Sequence, residues 1–497
     1  MDDEVIRGRE AQRHIVDVAQ EVSSRVRSTL GPLGFDQLMV DKMGEHLLTN
    51  DGATILKMQE NRDPIAKMIV EVAKAQEERA FDGTTTCVIL LAELLRLADT
   101  LIEKGIHPNH IARGYREGLK QAIECANAKC EDLDRVEASI EAAKTALTGK
   151  IAGDYADKLV SMCSKAALSA KPDDVKILAM PGDTNNSDVV EGVVIMKEIA
   201  MGGMPTNVDG KILVINEDLA PPQANISLND PAKIAEIAKV QTDYLHERLS
   251  HIKELNVSAV FCQKTIDTRA QQYFRQEGIS AFKQVRKSDI YRIAEVTGSN
   301  IVTDIATIGD DDLGEGSVKF VKAKPNPYTT IEGPKKGSVS ILLYAQTEQA
   351  ASEIMRALDD AVGVSWLVAT NPKMVAGAGA IQNDMARHIK NAKPNLDSKA
   401  EAARTMFAEA LMLIPRTLAE SAGMDIMDTM HDLSSMPGAG VNALESTIEV
   451  MDVMEPLEVV VSAMNAAVEN VIALLRTDAI IKAKSFQEVF SSEMGYD

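Results

Sequence analysis

Apolar residues recur every three or four positions from Gly8 to Leu30, at Ala11, Ile15, Val18, Val22 and Val26, which is the stripe of an amphipathic helix. Gly31-Pro32 stops it. Two short apolar runs follow, Leu38–Val40 and His46–Thr49, separated by Met43-Gly44, and predict a hairpin ending in the turn Asn50-Asp51-Gly52. A second helix is predicted from Pro64 to about Glu78 on Ile65, Met68, Ile69, Val72 and Ala73. A third follows Asp82-Gly83 on Val88, Leu91, Leu94, Leu95 and Leu101.

The middle of the chain changes character. Buried-looking runs at Ile212–Ile215, Ala259–Cys262, Ile301–Ile305 and Ser340–Leu343 alternate with helical stretches near Pro231–Leu255, Asp267–Gln276 and Lys287–Thr297. From Glu348 onward helices return, near Glu348–Ala369, Ala378–Lys390, Ser398–Ala422 and Leu457–Arg476. A helical start and a helical end around an α/β centre predict a discontinuous domain whose two ends pack together, with the centre inserted.

At 497 residues the chain is long enough for several domains. With 45% hydrophobic and 26% charged residues it reads as a globular protein. A formal charge of -21 has the wrong sign for a nucleic-acid partner. Any bound nucleotide is therefore expected to enter with a divalent cation. The five cysteines, Cys87, Cys125, Cys130, Cys163 and Cys262, form no CxxC and no disulfide framework, which fits a reducing compartment. The acidic N-terminus and the lack of an apolar run near the ~18 residues that span a bilayer predict a soluble cytoplasmic chain without a membrane partner.

Several clusters carry candidate chemistry. Thr29-Leu30-Gly31-Pro32-Leu33-Gly34 is a helix end whose glycine turn could approach a phosphate, although helix termination alone explains it. Asp82-Gly83-Thr84-Thr85-Thr86 opens a helix, where free amides favour an anion and Asp82 could hold Mg²⁺; the plainer account is an Asp N-cap. Asn50-Asp51-Gly52 reads as an Asx turn, or as a carboxylate aimed at the same pocket. Gly377-Ala378-Gly379-Ala380 fails as a dinucleotide fingerprint, because Gln382 stands at the third glycine. By spacing alone Asp359-Asp360 belongs to a solvated helix face, His107 and His110 flank a Pro-Asn turn, and Cys125 and Cys130 lie on different faces of one helix. The motifs GxxxxGK[ST], GxSxG and HExxH are absent from the sequence.

Taken in order, these segments resemble a group II chaperonin subunit of the archaeal thermosome and eukaryotic cytosolic type. The resemblance rests on TLGPLGFDQLMVD from Thr29, TNDGATIL from Thr49, KMIVEVAKAQ from Lys67, DGTTT from Asp82, VFCQKTID from Val260, RALDDA from Arg356 and IPRTLAESAGMD from Ile414. It implies a multidomain α/β architecture: a helical equatorial domain from residues 1–133 and 381–497, a small bipartite intermediate domain from 134–198 and 348–380, and an inserted α/β apical domain at 199–347. It also implies Mg²⁺ and ATP as ligands, a double ring built with other chaperonin subunits, and non-native polypeptide as the client.

Carried onto this sequence, the resemblance implies that Leu30, Gly31, Pro32, Gly52, Gly83, Thr84, Thr85, Thr86, Gly377 and Gly379 line the nucleotide, with Glu455 at the ribose. Asp82 would hold Mg²⁺ and Lys150 would approach the γ-phosphate. Asp51 and Asp360 would position the attacking water. The chain departs from the family pattern at Leu33 (a Lys), Phe81 and Ala378 (each a Gly) and Gln382 (a Glu). The segment Met436–Met454 is shorter than the family's equatorial hairpin. The apical stripe Ile234, Ile237, Leu245, Leu249 and Ile252 is expected to be core, and a slightly shortened lid is expected from Leu219, through Pro221-Pro222, into the first turns of the helix from Pro231. The implied function is ATP-dependent folding of non-native polypeptide; a non-hydrolysing scaffold subunit is the alternative.

Overall fold

A computed structural model describes residues 4–40, 44, 46–58, 63–150, 155–221, 231–324 and 326–482. The chain divides into two compact units, Met1–Ser164 with Ser352–Asp497, and Lys165–Ala351. The two ends of the chain do fold together around an inserted centre.

The first unit is a helical body. Helices Gly8–Arg27, Pro64–Ala80, Thr84–Glu103, Pro108–Lys129, Ser398–Leu411 and Leu457–Leu475 bury one continuous core. The expected stripes face inward: Ala11, Ile15, Val22 and Val26 are buried, as are Val88, Leu91, Leu94, Leu95 and Leu101. Met68 is the exception, turned outward and 41% exposed. Glu4–Arg7 and Ala479–Lys482 pair antiparallel, so residues near the two chain ends share a sheet.

Several sequence expectations are corrected. The stretch Ser398–Ala422 is two helices, Ser398–Leu411 and Leu413–Ser421, because Pro415 has no amide to donate to the Leu411 carbonyl. Pro108-Asn109 is the first turn of the helix Pro108–Lys129, with His107 as its N-cap accepting from the Asn109 amide at 3.1 Å. That helix ends at Lys129, so Cys130 is its C-cap and does not lie on a helix face. Ile301–Val302 is a two-residue strand, followed by a 3₁₀ turn at Ile305–Thr307. Gly52–Met58 is a short helix that the Asn50-Asp51-Gly52 turn leads into, too brief for its apolar period to show in the sequence. Leu457–Leu475 is long and apolar enough to cross a membrane, contrary to expectation. It is a core helix: Val460, Met464, Val468 and Val471 are buried in the cluster that the other helices share.

The second unit is α/β. Its larger sheet runs in the order Ser280–Phe282, Val257–Cys262, Asn207–Ile215, Gly314–Val321, Tyr328–Glu332, Val193–Ile195, with Ile301–Val302 also paired to Asn207–Ile215. Apolar residues cover both faces, with Leu213 and Ile215 in one cluster and Ile212 and Val214 in the other. The helix Pro231–Glu254 packs Leu245, Leu249 and Ile252 into the first cluster, as expected of core positions. The side chains of Ile234 and Ile237, and residues 222–230 of the expected lid, lie outside the described residues. A smaller sheet pairs Val339–Ala345 with Val175–Pro181 in parallel and with Asp188–Val190 antiparallel.

Candidate functional site

The site is assembled in the first unit from helix ends. The helix Pro64–Ala80 closes on Phe81, whose amide donates to the Glu77 carbonyl at 2.9 Å and whose backbone is left-handed (φ 60). The next helix, Thr84–Glu103, starts three residues later. Its N-cap is Gly83 (φ 77), not Asp82 as the plainer reading of the sequence holds, and no side chain caps it. The first-turn amides of Thr84, Thr85 and Thr86 therefore stand without a side-chain acceptor at the positive end of the helix dipole, an arrangement that favours an anion. A Cβ at Gly83 would lie 2.9 Å from Val459 Cγ1, so both the backbone sign and the space call for glycine. The Asp82 carboxylate accepts from the Gly83 amide at 2.7 Å, while the Asp82 carbonyl is held by Gln76 Nε2 at 2.9 Å.

Facing this helix start is the short helix Gly52–Met58. Asp51 precedes it and accepts from the Ala53 and Thr54 amides at 3.2 and 2.8 Å. The Asx-type capping and the presentation of a carboxylate to the pocket coexist, since Asp51 and Gly52 both line the cleft. Lys150 follows the helix Arg135–Leu147 by one turn, its amide bonded to the Leu147 carbonyl. Asp360 comes from the helix Glu348–Thr370 and lies with its carboxylate 2.7 Å from Lys150 Nζ. The two side chains are 22% and 21% exposed, so the solvated-face reading of Asp360 is overturned. Periodicity places Asp360 on that helix but carries no information about what covers it.

Charge is concentrated here. Burial pushes the Asp360 carboxyl up to about 7, with Asp51 and Asp82 adding to the rise and Lys150 opposing it. Burial also works against the Lys150 ammonium, but Asp360, Asp82 and Asp51 outweigh it and raise its pKa. Glu455 is likewise pushed up to about 7, by burial first and then by Asp82, against a hydrogen bond from the Ala378 amide. It reaches the site by strand register, since Met454–Pro456 pairs with Lys373–Ala376 and sets Glu455 opposite Val375.

Leu30, Gly31, Pro32, Asp51, Gly52, Asp82, Gly83, Thr84, Thr85, Thr86, Lys150, Asp360 and Glu455 all line one cleft. Gly379 and Ala378 line an adjoining, more apolar one, with Ile414, Leu418, Leu444 and Val453. Gly377 is not placed in the wall of either: its amide donates to the Val453 carbonyl at 2.8 Å, behind Glu455. Of the departures from the family pattern, Leu33 is exposed and lines neither cleft. Phe81 and Ala378 (φ 54) keep the left-handed backbone that a glycine would adopt, at about 1–2 kcal/mol each.

Thr145, Thr148 and Gln382 are among the further liners that the sequence reading does not name as site residues. Thr145 and Thr148 lie one turn apart ahead of Lys150, a spacing that is readable. Gln382 stands out in the sequence only as a substitution. It is 4% exposed, lines both clefts, and its Oε1 is buried without a hydrogen-bond partner.

The arrangement offers uncapped helix amides, hydroxyls, one ammonium and converging carboxylates, which suits a nucleotide polyphosphate with a divalent cation. Among the described residues no three His, Cys, Asp or Glu side chains come close enough together to share one metal ion, although Asp51, Asp82 and Asp360 line the same cleft. A magnesium ion would accordingly rest on Asp82 with phosphate oxygens and water, coordination that this ion favours. The family model of the TCP-1/cpn60 chaperonin family matches residues 22–485. The chain is similar to a thermosome subunit of Methanopyrus kandleri, 36% identical over 97% of this chain and 93% of the relative. Similar matches are the thermosome subunit beta of Archaeoglobus fulgidus (36%, 97% and 93%) and a thermosome subunit of Pyrococcus abyssi (35%, 98% and 94%). With the family model matched over residues 22–485 and relatives aligned over 97% of its length, the chain belongs to the TCP-1/cpn60 chaperonin family, in its group II branch.

Proposed function

We propose that the protein is an ATP-dependent group II chaperonin subunit that assembles with other subunits into a double ring and assists the folding of non-native polypeptide. The observation that carries the catalytic part is the convergence of Asp51, Asp82, Asp360 and Lys150 on the uncapped start of the helix Thr84–Glu103. In this reading residues 1–133 and 381–497 are the equatorial domain, 134–198 and 348–380 the intermediate domain, and 199–347 the apical domain. A cytoplasmic location belongs to the same proposal. A non-hydrolysing scaffold is not favoured, because both water-positioning carboxylates are in the cleft.

The chain's own residues divide the work. The amides of Thr84, Thr85 and Thr86 and their hydroxyls bind phosphate oxygens, and the glycine turn Leu30-Gly31-Pro32 closes over them. Asp82 would hold a magnesium ion, which would supply charge neutralisation on those oxygens. Asp51 and Asp360 orient a water for in-line attack and accept its proton, while Lys150 exchanges its bond to Asp360 for one to the phosphate. Glu455 binds the ribose and the apolar cleft beside Gly379 takes the base. Hydrolysis is thereby coupled to closure over a client.

The test is steady-state ATP turnover and refolding of a denatured client by the purified oligomer, beside Asp51→Ala. Turnover and ATP-dependent refolding in the wild type, both lost in the variant while ATP still binds, support the reading. A wild type no faster than the variant overturns it in favour of the scaffold.

A further inference from the structure

Phe81 is the residue before Asp82, and its ring does not simply cap a helix. It packs on the cluster formed by Ala138, Ala142, Val364, Val368 and Met374 and borders the phosphate cleft. The helix Glu348–Thr370 meets it at Gly363, where a Cβ would lie 2.7 Å from Phe81 Cβ and closer still to the ring. Any side chain at 363 would displace the ring or the helix. Gly363 follows Asp360 by three residues, so both lie on one face of that helix, a single turn apart.

We propose that Phe81 is a positioning residue: its ring, seated in the notch at Gly363, fixes the Asp360 helix against the loop that carries Asp82. The inference rests on the ATPase reading above for its consequence, though not for the contact. Two segments 282 positions apart in the chain are keyed by one ring and one missing side chain. The separation of the water-positioning carboxylate from the phosphate site is then set by packing, which is stiff, rather than by the Lys150–Asp360 bond, which substrate must break. The left-handed backbone at Phe81 fits this role, because a glycine would relieve the strain and lose the key.

The experiment uses the full-length oligomer and two readouts: kcat with KM for ATP, and amide hydrogen exchange over residues 357–364. Phe81→Ala is expected to lower kcat ~10-fold with KM changed less than about twofold, as misplacement of a reacting group does, and to speed exchange in that segment ~10-fold. Phe81→Leu should retain most of the turnover. Phe81→Ala/Gly363→Leu should regain much of what Phe81→Ala loses, because the new side chain refills the space. Gly363→Leu alone should impair turnover as Phe81→Ala does. Unchanged exchange in Phe81→Ala, a KM that rises as far as kcat falls, or a double variant no better than the worse single one overturns the proposal. Absence of turnover in the wild type would instead sink the ATPase reading, and exchange alone would then decide the contact.

Discussion

The Lys150 ammonium lies 2.7 Å from the Asp360 carboxylate, a bond between residues 210 positions apart that both line the same cleft. It keeps a largely buried acid partnered, and in the proposed mechanism it is exchanged when a phosphate arrives. Asp360→Asn keeps the shape and a weaker acceptor for Lys150 but cannot take a proton. Turnover should fall by ~10² to 10⁴, about 3 to 5.5 kcal/mol of transition-state stabilisation. ATP affinity should hold or tighten as negative charge leaves the site. Single-turnover hydrolysis with parallel calorimetric binding checks both; an equal loss in affinity would show that Asp360 binds rather than positions.

The same pair sets a pH dependence. Asp360 works as a carboxylate, and burial has pushed it up to about 7, so kcat/KM should rise with pH through that region and level off above it. Lys150 holds the value down. In Lys150→Met the opposing charge is gone, and the acid limb should move to a pH higher by about one or more. A profile of kcat/KM from about pH 5.5 to 9 decides it. A limb that stays in place in the variant would mean that another group titrates.

How far the sequence carries the argument depends on whether a signal is local. The helix start at Asp82-Gly83-Thr84 is legible because its chemistry sits in five consecutive residues. The break at Met412 escapes the sequence reading, because the apolar period runs on across it although Pro415 stands just beyond. Asp360 is not legible from spacing: two acids on a helix look solvated until Lys150 is brought to one of them from 210 residues away. Glu455 depends on strand register with Val375, and the wedge of Phe81 against Gly363 on tertiary packing. The family resemblance supplies Asp360, Lys150 and Glu455. It marks Gln382 only as a departure from the family pattern, and the Gly377 amide that it sets beside the ligand is bonded to the Val453 carbonyl.

Glu455 carries a second pH effect, on stability. Its pKa is near 4.5 when solvated and about 7 here, chiefly through burial. A raised carboxyl binds more protons folded than unfolded, so it costs nothing below about pH 4.5, destabilises progressively as pH rises to about 7 and levels off above that, at a cost of about 3 kcal/mol as an upper bound. Glu455→Gln removes that penalty. The variant's thermal midpoint should exceed the wild type's at about pH 8 and match it below about pH 4.5, while its affinity for ATP falls because the ribose contact is weakened. Melts at both pH values with ATP titrations check this; a midpoint difference that does not change with pH would mean the ionised acid is not strained.

Gln382 makes the same argument without a charge. Its Oε1 is buried and unpartnered beside both clefts, an arrangement that costs stability until a donor arrives. A ribose hydroxyl or the amino group of a base is such a donor. Gln382→Met fills nearly the same volume with an apolar chain, so the ligand-free protein should gain about 1 kcal/mol of stability. Nucleotide affinity should drop ~5- to 10-fold, the worth of one hydrogen bond. The opposed signs are the diagnostic, because a residue that only packs would lose stability without losing affinity selectively. Chemical denaturation and ATP binding on the same preparations measure both, and a variant that is less stable yet binds ATP normally would assign Gln382 to the core rather than to the ligand.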